Sequence, residues 1–143
     1  MIPEIDRKTG YLPAGIHTGT WHELAAVFGF NEYRRELLSG LLKAARELRG
    51  SGCNVIYLDG SFVSLKEYPG DYDGCWEMNN VHMSTLDPVL IDRNDLRKGR
   101  LRQKLKYKGE LFPGKEGWLD FFQTDKDGVR KGVIVLDLRS LPR

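Results

Sequence analysis

Tyr57-Leu58-Asp59-Gly60-Ser61 and, a short loop later, Asp71-Tyr72-Asp73 are the stretches on which the fold turns. The first is an apolar run that ends in Gly-Ser. The second follows a Pro69-Gly70 turn and sets two acids on either side of one aromatic. Gly60 has no side chain, so a phosphate can approach the backbone closely there. Ser61 offers a hydroxyl and an amide at what reads as a helix start, where outward N–H groups favour anions. On a strand, Asp71 and Asp73 share a face, roughly 6.5–7 Å apart along it. Two carboxylates so placed suit one or two Mg²⁺ ions, which clamp the attacking and leaving oxygens of a phosphoryl transfer. Each half also has a plainer explanation, Gly-Ser as a turn and Asp-x-Asp as a solvated loop. Their order, with an apolar strand before the first, favours the joint reading.

The 143 residues suit a single domain, 1–143, with an extended N-terminal arm over 1–19. A hydrophobic fraction of 41% and a charged fraction of 29% are ordinary for a soluble globular protein. No apolar run reaches the length of a membrane span, and the N-terminus lacks the basic start and apolar core of a signal peptide. The expected location is the cytoplasm, where Cys53 and Cys75 stay reduced and packed. The formal net charge is only +2, so affinity for a nucleic acid has to come from local clustering.

Around the opening motif, helices come first, then strands mixed with helices, then a hairpin. The arm is expected to pack through Ile5, Tyr11, Leu12 and Ile16. Thr20-Trp21-His22-Glu23 is a capping box for a short helix ending near Gly29. Asn31 caps a longer helix in which Tyr33, Leu37, Leu38, Leu41, Leu42, Ala45 and Leu48 recur at helical spacing. Asn54 to Asp59 reads as a buried strand, Gly60 to Lys66 as a helix start or tight turn, and Tyr72 to Glu77 as a second strand. Asp87-Pro88 starts a turn, and Leu96 to Lys108 has good helix formers throughout. Trp118 to Gln123 and Val129 to Leu138 read as strands joined by an Asp125-Lys126-Asp127-Gly128 hairpin turn. This order predicts an α/β domain of the α+β kind: two layers, a mixed β-sheet and N-terminal helices.

Asp120 is the candidate third carboxylate, as metal ligand or as the base that activates an acceptor hydroxyl. Flanked by Leu119 and Phe121, it has the alternative of simply facing solvent. In the basic run 97–108, Arg97, Arg100 and Lys104 share a helical face, with Leu101 and Leu105 expected in the core. That face is either solvated or a landing strip for a triphosphate or an RNA backbone. Lys66 is a further candidate for phosphate contact. The Asp125–Gly128 stretch lacks the later bidentate acid of a calcium loop, and His17, His22 and His82 have no metal-ligand spacing.

Hydrophobic residue, Gly-Ser, a gap of about ten residues, then acid–hydrophobic–acid resembles the signature of polymerase-β-type nucleotidyltransferases. Gly74 departs from it, since an apolar residue usually follows the second acid. Gly10–His17, Tyr57–Val63, Asp71–Trp76, Leu86–Pro88, Lys106–Pro113 and Leu119–Gln123 together resemble a family of short bacterial proteins with a nucleotidyltransferase-like core. The resemblance covers nearly the whole chain. It implies a minimal nucleotidyltransferase fold, with Gly60, Ser61, Asp71 and Asp73 at the motif positions. It also implies a place in toxin–antitoxin or defence modules, where such enzymes transfer a nucleotide to RNA or to a protein side chain.

The expected activity is a Mg²⁺-dependent transfer of a nucleoside monophosphate from a nucleoside triphosphate to an RNA or protein acceptor. Gly60 and Ser61 would hold the β/γ-phosphates, with Lys66 and Lys104 as further phosphate contacts. Asp71 and Asp73 would bind the metal, with Asp120 as third ligand or base. The rival is a catalytically inactive member of the same fold that acts as a binding or antitoxin-like module on a cognate protein. A third reading is an RNA-binding module built on the basic helix. No membrane partner is expected.

Overall fold

A computed structural model describes residues 1–91, 96–114 and 132–143, with the side chains of 96–100 outside the description. Five strands form one mixed sheet: β1 (Gly15–Gly19), β2 (Val55–Asp59), β3 (Tyr72–Glu77), β4 (Gly109–Gly114) and β5 (Gly132–Asp137). Their order is β1-β5-β2-β3-β4. The β1–β5 and β3–β4 pairs are parallel, and β2 runs antiparallel to both of its neighbours. The helices described are α1 (Trp21–Phe28), α2 (Glu32–Gly50) and α3 (Leu96–Tyr107). The α+β class with a mixed sheet is therefore as expected.

Local signals set the first two helices. Thr20 accepts from the Glu23 amide at 3.2 Å while the Glu23 carboxylate accepts from the Thr20 amide at 3.1 Å, a closed capping box. The Asn31 side chain accepts from the Arg34 amide at 2.7 Å and starts α2. Leu24 and Phe28 of α1 and Leu37, Leu38, Leu41, Ala45 and Leu48 of α2 lie buried against Ile56, Leu58, Ile134 and Leu136 of the sheet. Register follows from this burial. Leu58 pairs with Gly74 on one side and Ile134 on the other, and Gly74 pairs with Leu111, so this row faces the helices. The next row, Asp59, Asp73 and Glu110, therefore faces the opposite way.

Several expectations change. The arm over 1–19 is more than an arm: Gly15–Gly19 is an edge strand, and Ile16 is exposed while Ile2 and Leu12 are buried. With glycine at both ends and Ile16 and Thr18 both facing outward, β1 carries no buried apolar side chain that would make it read as a strand. Tyr33 stands at the surface, and its neighbour Arg34 takes the buried place. Leu101 and Leu105 are also exposed, and α3 instead turns Gln103 and Tyr107 inward. Gln103 is there for the sheet edge: its side chain donates to the Leu111 carbonyl at 3.1 Å and accepts from the Leu111 amide at 2.9 Å. It thereby satisfies both backbone groups of Leu111 in β4. Strand β4 was not expected, because the Gly109–Gly114 run has Gly at both ends and Pro113 inside. The readings for Asp120, the Trp118–Gln123 strand and the Asp125–Gly128 turn lie outside the described residues. No helix among the described residues is long and apolar enough to cross a membrane.

Candidate functional site

The Gly-Ser turn and the acid pair meet. Strand β2 ends at Asp59, and Gly60 turns the chain with φ +83°, a conformation that glycine adopts without a Cβ penalty. A Cβ at Gly60 would lie 2.9 Å from Asp73 Oδ2, so the missing side chain is the space that the Asp73 carboxylate uses. Asp71 sits just before β3, two residues from Asp73 and on the same side of the strand, with Tyr72 buried on the other.

Four carboxylates gather here. Asp59, Asp73 and Glu110 are opposite one another on three adjacent strands, and Asp71 stands at the end of the row. Asp59 and Glu110 are buried. Like charges directly across strands repel. At Asp73, burial, then the charges of Asp71, Glu110 and Asp59, push the carboxyl up to about 7, against a smaller opposing pull from Lys104. The Lys104 ammonium reaches in from α3, 3.2 Å from Asp71 and 3.3 Å from Glu110. This pairing raises the Lys104 pKa, chiefly through its hydrogen bond to Asp71.

Ser61 departs from expectation. It opens a single 3₁₀ turn, Ser61–Val63, and no longer helix follows. The accumulated dipole of a helix N-terminus is absent, because the chain runs extended from Ser64. The turn still borders a cleft of about 420 Å³ lined by Thr9, Gly10, Tyr11, Gly60, Ser61, Ser64, Leu65 and Lys66. Lys66 thus shares a cleft with Ser61, as the phosphate reading needs. Lys104 does not share it. With Asp71 and Tyr33 it lines a second groove of about 290 Å³. Arg97 and Arg100 lie on α3, but their side chains are outside the described residues.

Gly74 has its own reason to be glycine. A Cβ there would collide with the Tyr57 carbonyl of β2. The strand runs on unbroken to Glu77, so the departure from the motif reflects close β2–β3 approach rather than a weakened strand.

Arg34 was not singled out from the sequence. Fully buried, it donates from Nε to the Phe28 carbonyl at 2.5 Å, from Nη1 to Lys66 at 2.6 Å, and from Nη2 to Phe62 and, at 3.3 Å, to Ser64. Its guanidinium also lies 4.6 Å from the Phe62 ring centroid and 4.5 Å from that of Phe30. One side chain on α2 therefore ties down the loop that carries Ser61 and Lys66. Burial brings its pKa down to about 10. The signal lay in the spacing: Arg34, Leu38, Leu41, Ala45 and Leu48 share one stripe of α2.

Among the described residues, no three His, Cys, Asp or Glu side chains form a ready-made metal cage. Mg²⁺ rarely uses one; it is more often held by one or two carboxylates together with substrate phosphates. The donors here are hard oxygens crowded enough to repel each other, which suits that ion. Cys53 and Cys75 are buried free thiols; Cys75 shares the acid-bearing face of β3 with Asp73, and burial together with the nearby Asp59 charge pushes its thiol pKa up.

Comparison with curated proteins and with solved structures gave no match. A family model matches residues 3–137, and the chain therefore belongs to DUF6932, a family of unknown function.

Proposed function

We propose that the protein is a Mg²⁺-dependent nucleotidyltransferase with a polymerase-β-like core. The observation that carries the reading is the close approach of the Asp73 carboxylate to Gly60, where a Cβ would lie 2.9 Å from Asp73 Oδ2. It joins the acid cluster to the Gly60–Ser61 turn, which borders the cleft that also holds Lys66. Gly60 and Ser61, with Lys66 beside them in the same cleft, would take the triphosphate. Asp71 and Asp73 would hold Mg²⁺, which when bound supplies charge neutralisation at the phosphates. Asp120 lies outside the described residues, and Glu110, next to Asp73 on β4, is the carboxylate we assign as base.

In the reaction an acceptor hydroxyl oxygen bonds to the α-phosphorus of the nucleoside triphosphate. The bond from that phosphorus to the bridging oxygen breaks, and pyrophosphate leaves with the electron pair. The hydroxyl proton passes to the Glu110 carboxylate. The acceptor is RNA or a protein side chain, and the resemblance to toxin–antitoxin and defence enzymes suits either.

One observation favours the inactive rival. Lys104 already bridges Asp71 and Glu110, so an internal ammonium occupies charge space that a metal would otherwise fill. Calorimetry separates the two readings. The wild-type protein is expected to bind a non-hydrolysable nucleoside triphosphate in the presence of Mg²⁺ and much more weakly in EDTA. Asp71→Asn is expected to remove the Mg²⁺ dependence. Nucleotide binding that ignores Mg²⁺, or no binding at all, would favour the inactive module.

A further inference from the structure

We propose that the acceptor is a single-stranded nucleic acid, led into the site over a ledge made by Tyr33 and Tyr68. This rests on the nucleotidyltransferase reading, since it names the acceptor of that same site. The two rings meet edge to face, with centroids 5.6 Å apart and planes at 81°. Both are outside the core: Tyr33 is 38% exposed and Tyr68 62%. The Tyr33 hydroxyl donates to the Gly70 carbonyl at 3.4 Å, which fixes the ledge to the residue immediately before Asp71. Tyr33 also lines the groove of about 290 Å³ that contains Asp71, Lys104 and Lys108. A chain crossing the ledge therefore arrives beside the proposed metal-binding acids.

Two features select the occupant. Exposed aromatic faces next to a groove take unpaired bases by stacking, and do so with little regard to sequence. The surrounding charge suits a phosphate backbone. Lys104 and Lys108 line the groove with Asp71 and Glu36, and both ammonium groups stand close to half exposed where a phosphate can reach them. Lys108 is exposed, and its partner Glu36 is 3.7 Å away and mostly exposed as well, a pairing that a phosphate can readily displace. A duplex keeps its bases stacked inside and offers no face to the tyrosines, so single strands are preferred.

The test is fluorescence anisotropy with labelled 12-nucleotide RNA and DNA single strands and the corresponding duplexes, at low and raised salt. Wild-type protein is expected to bind single strands in preference to duplex. Tyr68→Ala should weaken that binding about tenfold, in line with the loss of one stacking contact. Tyr68→Trp should restore it, and Tyr68→Leu, which keeps apolar bulk without a ring of that kind, should not. Lys108→Ala should flatten the salt dependence. Binding in either the RNA or the DNA arm supports the ledge, and the tighter arm names the sugar. Affinity of Tyr68→Ala for the Mg²⁺–nucleotide, measured separately by calorimetry, should equal that of the wild type. Unaltered oligonucleotide binding in Tyr68→Ala, equal affinity for duplex, or labelled nucleotide transferred to a protein acceptor by Tyr68→Ala at the wild-type rate would overturn the inference. Absence of nucleotide binding in the wild type would instead strike the nucleotidyltransferase reading itself.

Discussion

Asp73→Asn is expected to abolish nucleotide transfer and, at the same time, to make the protein more stable at pH 8. Loss of activity follows from removing a metal-binding carboxylate, and a fall of at least about 10³-fold is expected, comparable to the loss of a main electrostatic contributor. The gain in stability follows from linkage. The fold raises the Asp73 pKa from 3.8 to about 7. The folded state therefore holds this proton more tightly than the unfolded chain. The associated stability is fully present below about pH 4 and is lost as the pH rises to about 7. At 1.36 kcal/mol per pH unit the loss approaches about 4 kcal/mol, and solvent relaxation around a partly accessible group reduces it to about 2 kcal/mol. Asparagine is neutral at every pH and escapes the loss. Thermal melts from pH 4 to pH 8 should show the wild type falling through this window and Asp73→Asn holding nearly flat, with a midpoint about 5 °C higher at pH 8. A variant less stable than the wild type at pH 8 would mean that the carboxylate is part of the scaffold. Residues held at a cost to stability are the mark of a working site.

Arg34→Met should have the largest effect on folding. The substitution strips four carbonyls of their donor, those of Phe28, Phe62 and Ser64 buried and that of Lys66 partly so. Breaking a buried charged network by removing one side of it costs about 3–5 kcal/mol. A midpoint at least about 10 °C below that of the wild type is expected for a chain of this size. Arg34→Lys should fare little better, because a single ammonium cannot reproduce the planar fork or its stacking on Phe62 and Phe30. Hydrogen exchange should locate the damage in the loop 61–66, ahead of the rest of the sheet. Full rescue by lysine would reduce Arg34 to a bare charge.

The two helices and the central strands were legible because each carries its own signal. Capping residues marked the starts of α1 and α2, and Leu37, Leu38 and Leu41 set the buried face. Strands β2 and β3 were legible because Ile56 and Leu58, like Tyr72 and Trp76, sit at alternate positions and are buried. Edge elements were harder. A strand such as β4 is defined by its partner β3 and by Gln103 bonding to Leu111, contacts that no local pattern records. Helix α3 was found but turned the wrong way, because its two leucines suggested a core face. The inward residues are instead Gln103, satisfied by backbone groups, and Tyr107, whose hydroxyl bonds Asp87 at 2.5 Å.

At the site, the motif brought out Gly60, Ser61, Asp71 and Asp73, whose spacing is local. Asp59 and Glu110 join them only through strand pairing, so their place in the acid row needed the sheet. Arg34 was passed over because a charge on an apolar stripe reads first as an edge residue, and its four acceptors all lie outside its own helix.

A crystal structure with Mg²⁺ and a non-hydrolysable nucleoside triphosphate tests the central claim most directly. The nucleotidyltransferase reading predicts a metal ion ligated by Asp71 and Asp73, with the triphosphate lying on the Gly60–Ser61 turn and Lys104 drawn away from its bridge between Asp71 and Glu110. A triphosphate bound elsewhere, or Lys104 still seated between those two acids with no metal beside Asp73, would contradict it.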